Sequence, residues 1–520
     1  MSRALRSHVG IAWPALGLAG SLTATIAATS LLSQRPTRWW WEVDLGTHGV
    51  QWHVFWAGVI VLCLAWAGLG VRLHRRPGAT AGELVGVGAL WSLPLILGPA
   101  LFSFDMYSYL AQGAVLAHGL NPYHTAPQAL HDPRVLAGVS STWTHTTTPY
   151  GPLFIGLAAL VQRLAGPHIT LGIVLLRVPA LFGLGLLAWA VPRLARNLGA
   201  DPARATWLAV ISPLSLLYLV AGGHNDALMA GLMAAGVAMA VERRPLLGIA
   251  LCTLAATVKL PAAAAVVMIA ICWWRAEPAR WRRILGSSAT AVAAVLLAAG
   301  ALTGVGLSWI SGSLFSTPAT ARMALTPSTA ISVSLWEITH RFGAGVEQAA
   351  AGWENAATLI AFFLVGLLAL ALCHRVRYGT LPRYLGVALI ASALGGPAAW
   401  PWYLSWGVVL LAADRRAQRQ FWLPALLIVC AFPVMADGQV AVPLPDSLIT
   451  VCVYALVVLA WVLGPRLQRR LALTSLPSLA ATRAAGFRER LPPRRPRVSV
   501  SPIGHATGES SSVAASEATG

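Results

Sequence analysis

The fold class this sequence predicts is an all-α polytopic membrane protein, a bundle of roughly 12–14 transmembrane helices with structured outer loops. Three observations predict it. Hydrophobic residues make up 57% of the 520 and charged residues 11%, about half the charged share of a soluble protein, and the mean hydropathy is +0.67. Uncharged apolar runs recur from end to end, each near the roughly 20 residues whose helix crosses a bilayer. The arginines gather in the short connections between those runs, which is how basic residues distribute when topology rather than a ligand places them.

Taken in order, length and apolarity place spans at 11–33, 54–71, 84–101, 169–191, 205–221, 226–241, 246–258, 260–274, 284–305, 352–372, 384–397, 402–413, 420–436 and 447–464. The leading MSRALRSHVG precedes an apolar run of about 20 residues with no small-x-small cleavage site, so an uncleaved first helix is expected. With the N-terminus inside, one side holds Arg3, Arg6, the arginines of six short connections and the nine of the tail, 29 of 36 in all. The positive-inside rule selects that orientation. The segment 151–166 is apolar but would break the alternation if it crossed, so it is read as re-entrant or interfacial. The outer face then carries loops 34–53, 102–150 and 306–351 on a membrane domain of 1–470. From 471 to 520 the chain turns basic and rich in Ser, Ala and Pro, and a disordered cytoplasmic tail near anionic lipid is expected.

Composition excludes several functions. A net charge of +19 invites nucleic acid, but the arginines lie scattered in loops instead of striped along one face, so membrane lipid is the expected partner and nucleic acid is not. The six cysteines lie in apolar runs or at their ends, which implies no disulfide framework. No P-loop or soluble nucleotide-binding unit interrupts the chain.

Chemistry is sought among the 18 acids. Asp105 and Asp226 are the two embedded in polar or aromatic surroundings at the outer ends of spans. A carboxylate there is partly desolvated, which raises its basicity unless a partner holds it ionised. Asp105 opens FSFDMYSYLAQGAVLAHGLNPY (102–123); a helix cap would explain it as an interface anchor, and an aromatic belt would explain Tyr107, Tyr109 and Tyr123. Beyond them, Asn121 and Pro122 supply turn chemistry, and HTTTPYGPLF (145–154) re-enters the membrane through a rigid turn at Pro149 and Tyr150. A folded outer loop is the expectation. In GGHNDALM (222–229), His224 and Asp226 form a lone His-x-Asp, a weak metal signal, and an N-cap explains Asn225 or Asp226 equally well. Hydrogen bonding of these side chains to polar groups of a substrate is the preferred role, with no metal and no cofactor.

Lys259 is the single lysine among 37 basic residues, where two apolar segments meet. It suits either a snorkelling anchor or a compact ammonium beside a lipid phosphate. Arg177, inside the run IVLLRVPALF, and Arg322, in the second large outer loop, are further candidates for that phosphate.

In order along the chain, DMYSYLAQG, HGLNPY, TPYGPL, GGHNDALM, STPATARMALTPSTAI (316–331) and GPAAWPWYLSW (396–406) resemble the polyprenol-phosphate-mannose-dependent α-1,6-mannosyltransferases of the MptA/MptB type, members of the GT-C superfamily. The likeness is distributed over roughly 84–410. Trp400 departs from it, standing where a small polar residue or histidine is expected. The resemblance implies a GT-C-like bundle. It also implies an enzyme that takes mannose from a polyprenyl-phosphate donor on the outer face and extends the α-1,6-mannan of an envelope glycolipid of the lipomannan or lipoarabinomannan type. The family's catalytic acid maps onto Asp105, and Trp402 and Tyr403 join the acceptor side. The chemistry agrees: an inverting transfer needs one carboxylate to take the acceptor proton, and phosphate leaves without a second acid. A multispanning transporter or lipid flippase is the competing class, since many spans and Gly/Pro-broken helices suit one.

Overall fold

The computed structural model describes residues 9–39, 41–310, 325–341, 346–442 and 446–456. Among these the architecture is helical, and the single β-type pairing is an antiparallel bridge between Val434 and Val440. The first three helices are α1 (Ala12–Leu31), α2 (His48–Arg75) and α3 (Ala81–Ile96). A capping box opens α3, Thr80 accepting from the Glu83 amide while the Glu83 carboxylate accepts from the Thr80 amide. Then come α4 (Asp105–Ala117), α5 (Pro152–Ala165), α6 (Ile169–Asn197), α7 (Pro202–Ala209), α8 (Asp226–Val241) and α9 (Pro245–Ala256). The series continues with α10 (Ala263–Ala276), α11 (Trp281–Thr303), α12 (Pro327–Arg341), α13 (Val346–Arg375), α14 (Leu381–Gly395), α15 (Ser405–Leu411) and α16 (Trp422–Val429).

Among the described residues, five helical stretches are long and apolar enough to cross a membrane: Ala12–Leu31, His48–Arg75, Ile169–Asn197, Pro278–Thr303 and Ala356–Arg375. Shorter apolar helices occupy other expected spans, among them Ala81–Ile96, Asp226–Val241, Pro245–Ala256, Leu260–Ala276 and Pro401–Leu411. The described residues up to 454 form one compact unit, and the tail expected at 471–520 lies outside the described residues.

Several boundaries differ from expectation. The span placed at 205–221 is not one α-helix: α7 ends at Ala209, and after Pro213 the chain winds into a π-helix over Ser215–Ala221. The span at 420–436 shortens to α16, because the chain turns back through the Val434–Val440 bridge. The loop 102–150 begins with a three-turn helix, α4, and 306–351 contains α12. Segment 151–166 is α5, whose 14 residues measure about 21 Å, short of the roughly 30 Å hydrocarbon core.

The core is centred on α8. Every residue from Ala205 to Ala240 is buried, because α8 is apolar on all sides and small residues let its neighbours approach. A β-carbon on Gly183 of α6 would meet the Ala227 carbonyl oxygen at 2.2 Å, and one on Gly231 would meet the Gly183 oxygen at 2.3 Å. On the other flank, a β-carbon on Gly236 would lie 2.7 Å from the Gly248 oxygen of α9. At the basic end of α8, Glu242 accepts from Arg193 and Asn197. Asp226 begins the same helix, so about 24 Å of helix separates it from the arginines 193, 243 and 244.

Gly183→Ala drives a methyl group into the α8 backbone beside Asp226. It should destabilise the protein by about 1–3 kcal/mol, the usual cost of overpacking, and lower activity with it. Gly185→Ala, two residues along the same helix with nothing within 4 Å, should be near neutral. Denaturation midpoints of the two purified variants check this, and equal midpoints would refute the close-packed α6–α8 contact.

Candidate active site

Asp105 is delivered by a chain segment pinned on both sides. After α3, the Leu101 amide donates to the Ala221 carbonyl at 3.4 Å and the Phe102 amide to the Ala436 carbonyl at 2.9 Å. Phe102 adopts φ +62°, a costly conformation for a bulky residue and one that persists only where the surroundings hold it. Ser103 Oγ accepts the Asp105 amide at 2.9 Å. The carboxylate then sits in the first turn of α4, where the helix dipole favours negative charge. Tyr109, one turn on, donates its hydroxyl to Asp105 Oδ2 at 3.2 Å, and His224 Nδ1 lies 3.2 Å from the same oxygen. Among the described residues Oδ1 has no partner, and the side chain keeps 17% of its surface. Burial pushes this carboxyl up, but His224, Lys259 and the Ser103 contact outweigh it and hold it below its ordinary value.

His224 arrives through the two glycines of GGHND. Gly223 takes φ +60°, and a β-carbon on Gly222 would stand 2.9 Å from the His224 ring. The imidazole is fully buried and stacks on Trp402, centroids 3.9 Å apart and planes 18° from parallel. Asp226, also fully buried, accepts from Lys259 Nζ with both oxygens, at 3.0 and 3.1 Å, and from the Trp406 indole N–H. The ammonium lies 4.3 Å from the Tyr403 ring centroid, 5.3 Å from Trp406 and 5.8 Å from Tyr150, so aromatic faces surround it. Tyr150 meets Tyr109 edge to face at 5.1 Å. The TPYGPL turn is tied to the lysine segment by Gly151 N–H to Val258 O and Leu153 N–H to Thr257 O, both 3.0 Å.

The fold therefore brings together Asp105, Tyr109, Tyr150, His224, Asp226, Lys259, Trp402 and Tyr403. Asn225 stands between His224 and Asp226, buried, with both side-chain amide atoms unpartnered among the described residues. Pro149, half-buried, leads into Tyr150. His224 and Asp226 do not converge on one point, since the first meets Asp105 and the second Lys259; among the described residues no three His, Cys, Asp or Glu side chains could hold a metal ion.

Other candidates lie elsewhere. Tyr107 points away from Asp105: its hydroxyl is 3.4 Å from Thr37 Oγ1, its ring lies under Arg35, and it lines a separate cavity with His118, Arg134 and Arg163. Asn121 accepts from the Tyr123 amide and donates to Ser308 Oγ, both at 3.0 Å. Tyr123 is 3% exposed and donates to the Tyr150 carbonyl at 2.8 Å, so it braces the turn from behind and does not offer its ring to a ligand. Arg177 is a correction. It is 1% exposed and its two terminal nitrogens donate to the carbonyls of Ile96 at 2.8 Å, Pro99 at 3.1 Å and Ala221 at 3.3 Å, so backbone oxygens engage its fork; Nε, also buried, has no partner among the described residues. Arg322 lies outside the described residues. Sequence reasoning missed Trp406. Its signal was the spacing, four residues after Trp402 at the mouth of a helix, which puts both indoles on one face.

Fold and site together define a polytopic membrane enzyme whose acid, histidine and lysine gather at one end of a helical bundle. A family model described as alpha-(1->6)-mannopyranosyltransferase, N-terminal domain, matches residues 7–275. Alpha-(1->6)-mannopyranosyltransferase A of Mycobacterium tuberculosis is 36% identical over 382 residues, covering 70% of this chain and 72% of that protein. A probable alpha-(1->6)-mannopyranosyltransferase of Mycolicibacterium smegmatis is 32% identical over 426 residues, 74% of each. Alpha-(1->6)-mannopyranosyltransferase B of Corynebacterium glutamicum is 29% identical over 397 residues, 68% of this chain and 64% of that protein. No solved structure matches. The chain belongs to the α-(1→6)-mannopyranosyltransferase family. It is thus a mannosyltransferase, which sets aside the transporter and flippase class.

The buried pair sets a stability prediction. Lys259→Met leaves Asp226 charged and uncompensated and should cost about 3–5 kcal/mol. Adding Asp226→Asn should recover much of that loss, as a double-mutant cycle on unfolding free energies would measure. Strict additivity of the two changes would refute the pair as the holding interaction.

Proposed function

We propose that the protein transfers mannose, with inversion, from a polyprenyl-phosphate donor to a growing α-1,6-mannan chain on an envelope glycolipid of the lipomannan or lipoarabinomannan type, at the outer face of the membrane. One observation carries the reading: of the two site carboxylates, Asp226 is closed by Lys259 and Trp406, whereas Asp105 keeps an unpartnered oxygen and some exposure. Asp105 is then the general base. Its Oδ1 takes the proton of the acceptor hydroxyl as that oxygen attacks the anomeric carbon. The carbon–oxygen bond to phosphate breaks, its electron pair leaves with the polyprenyl phosphate, and no second acid is required.

Lys259 is the phosphate partner in this reading. Its ammonium has three donors, and Asp226 occupies two. The third, on a side chain 12% exposed, suits a leaving group that gains negative charge. Two points support the outer face. The site occupies the end of α8 opposite the arginines 193, 243 and 244, and the positive-inside rule assigns that basic end to the cytoplasm. A lipid-borne donor also agrees with a chain that carries no P-loop. Tyr403, partly exposed, offers the kind of aromatic face sugars favour, with Tyr109, Tyr150 and Trp402 buried behind the site.

Asp105→Asn keeps shape and removes proton acceptance, so the rate should fall about 10²–10⁴-fold while the folded protein is retained. The assay supplies purified protein with polyprenyl-phosphate mannose or GDP-mannose separately, and a mannoside acceptor. Wild-type rate in Asp105→Asn would overturn the base assignment. Turnover of GDP-mannose without polyprenyl phosphate would overturn the donor.

A further inference from the structure

His224 was expected to bind sugar hydroxyls, but the fold spends a great deal on placing it elsewhere. Its ring is fully buried, Gly222 leaves room for it and Gly223 turns the chain to deliver it. Trp402 covers one face at 3.9 Å and is itself backed by Trp400, stacked at 4.7 Å. Asp105 Oδ2 lies 3.2 Å from Nδ1 as a charge contact without hydrogen-bond geometry, and among the described residues neither ring nitrogen has a hydrogen-bond partner. A sugar contact would need an imidazole edge open to the site, and this ring presents none.

The geometry points to His224 as a positioning residue for the general base, holding the Oδ2 edge of Asp105 together with Tyr109 so that Oδ1 alone faces the acceptor. This inference rests on the reading of Asp105 as the base. A carboxylate held at one oxygen by the Tyr109 hydroxyl and flanked there by an imidazole nitrogen 3.2 Å away is hindered from turning its second oxygen aside, and orientation of that kind separates a reactive geometry from an unreactive one.

Titratable and charged groups surround the dyad: Asp105 and Tyr109 of α4, Asp226 at the start of α8, Lys259 before α10, Tyr150 and Tyr403, and Tyr218 behind Trp402. Arg177 reaches the chain at Ala221. The sign of the pH effect follows from His224 stabilising the charged form of Asp105. Losing that partner makes the carboxylate easier to protonate, so the acid limb of kcat/KM, which reports the base in the free enzyme, moves to higher pH.

The test uses the full chain in lipid nanodiscs with polyprenyl-phosphate mannose and a mannoside acceptor. His224→Phe keeps a ring against Trp402 and removes the nitrogens. Its kcat should drop about tenfold or more, the worth of one charge-assisted contact, and the acid limb should rise by about one pH unit, with both KM values unchanged. His224→Asn returns a donor near the Nδ1 position and should recover most of the rate, whereas His224→Gln, which reaches past it, should not. If His224→Phe does not fold, the Asn and Gln pair decides, and equal rates in the two overturn the proposal. A raised KM with kcat preserved would make His224 a sugar contact and overturn it too. An inactive Asp105→Asn beside an unmoved acid limb in His224→Phe refutes the positioning role alone, while a fully active Asp105→Asn refutes the base.

Discussion

The Asp226–Lys259 pair is the interaction from which the arrangement of the site follows. A carboxylate with no exposed surface at the start of an all-apolar helix is untenable unless its charge is met and its lone pairs are filled. Two contacts from one ammonium and an indole N–H fill them. Meeting that demand draws three separate stretches together: the head of α8, the 257–260 segment between α9 and α10, and the aromatic run 402–406. The 257–260 segment in turn carries the TPYGPL turn through two backbone hydrogen bonds, and Tyr150 arrives with it. Once Asp226 is closed, the two acids have different work. One organises the site, and the other is left with an open oxygen. Environments that push two carboxylates toward separate roles are how acid and base assignments arise in enzymes generally.

The helix packing serves the same end. α8 is held on one flank by Gly183 and Gly231 and on the other by Gly236 and Gly248, backbone against backbone. Inside a membrane, apolar side chains gain little by leaving lipid, so close approach of small residues supplies the helix contacts. Such contacts tolerate almost no sliding. The N-terminal turn of α8 is therefore fixed by what lies about one and a half and three turns below it, and Asp226 inherits that rigidity. The π-helix before it, Ser215–Ala221, re-aims the chain so that Gly222 and Gly223 can swing His224 toward α4.

Much of the site was legible in the sequence because its residues are rare in such a chain. A single lysine, two acids at span ends and a dense aromatic run stand out against uniform apolarity, and Asp105, His224, Asp226, Lys259, Trp402 and Tyr403 are among the residues the fold assembles. Their pairing was not legible. Asp226 and Lys259 are 33 residues apart, and no periodicity reports a contact between the end of one helix and the start of another segment. Tyr107 and Tyr109 were treated alike because 102–123 was read as a loop. On a helix beginning at Asp105, position 109 shares its face and position 107 points elsewhere, which is what occurs. Span boundaries failed where local breakers outweighed apolarity, at Pro213 and at the turn after α16. Membership in a mannosyltransferase family was legible from motif order, since the spacing of several short motifs survives changes in the helices between them.

Arg177 illustrates why a charged residue inside a span need not touch a substrate. Its guanidinium meets the carbonyls of Ile96 and Pro99 past the end of α3 and that of Ala221 at the end of the π-helix. The Ile96 and Ala221 oxygens lie at the C-terminal ends of their helices, where the dipole is negative, so a cation there is stabilised without a carboxylate. The geometry has a second effect. Six residues after Pro99 comes Asp105, and three after Ala221 comes His224. One planar fork thus anchors the two strands of chain that must bring the acid and the imidazole within 3.2 Å of each other. Lysine, with a compact ammonium, could not span three carbonyls set in that fan. The compact ammonium of Lys259, by contrast, sits between the Tyr403 and Trp406 rings and meets both Asp226 oxygens. The choice of cation at each position follows from the shape of what it must hold, and at Arg177 that is backbone.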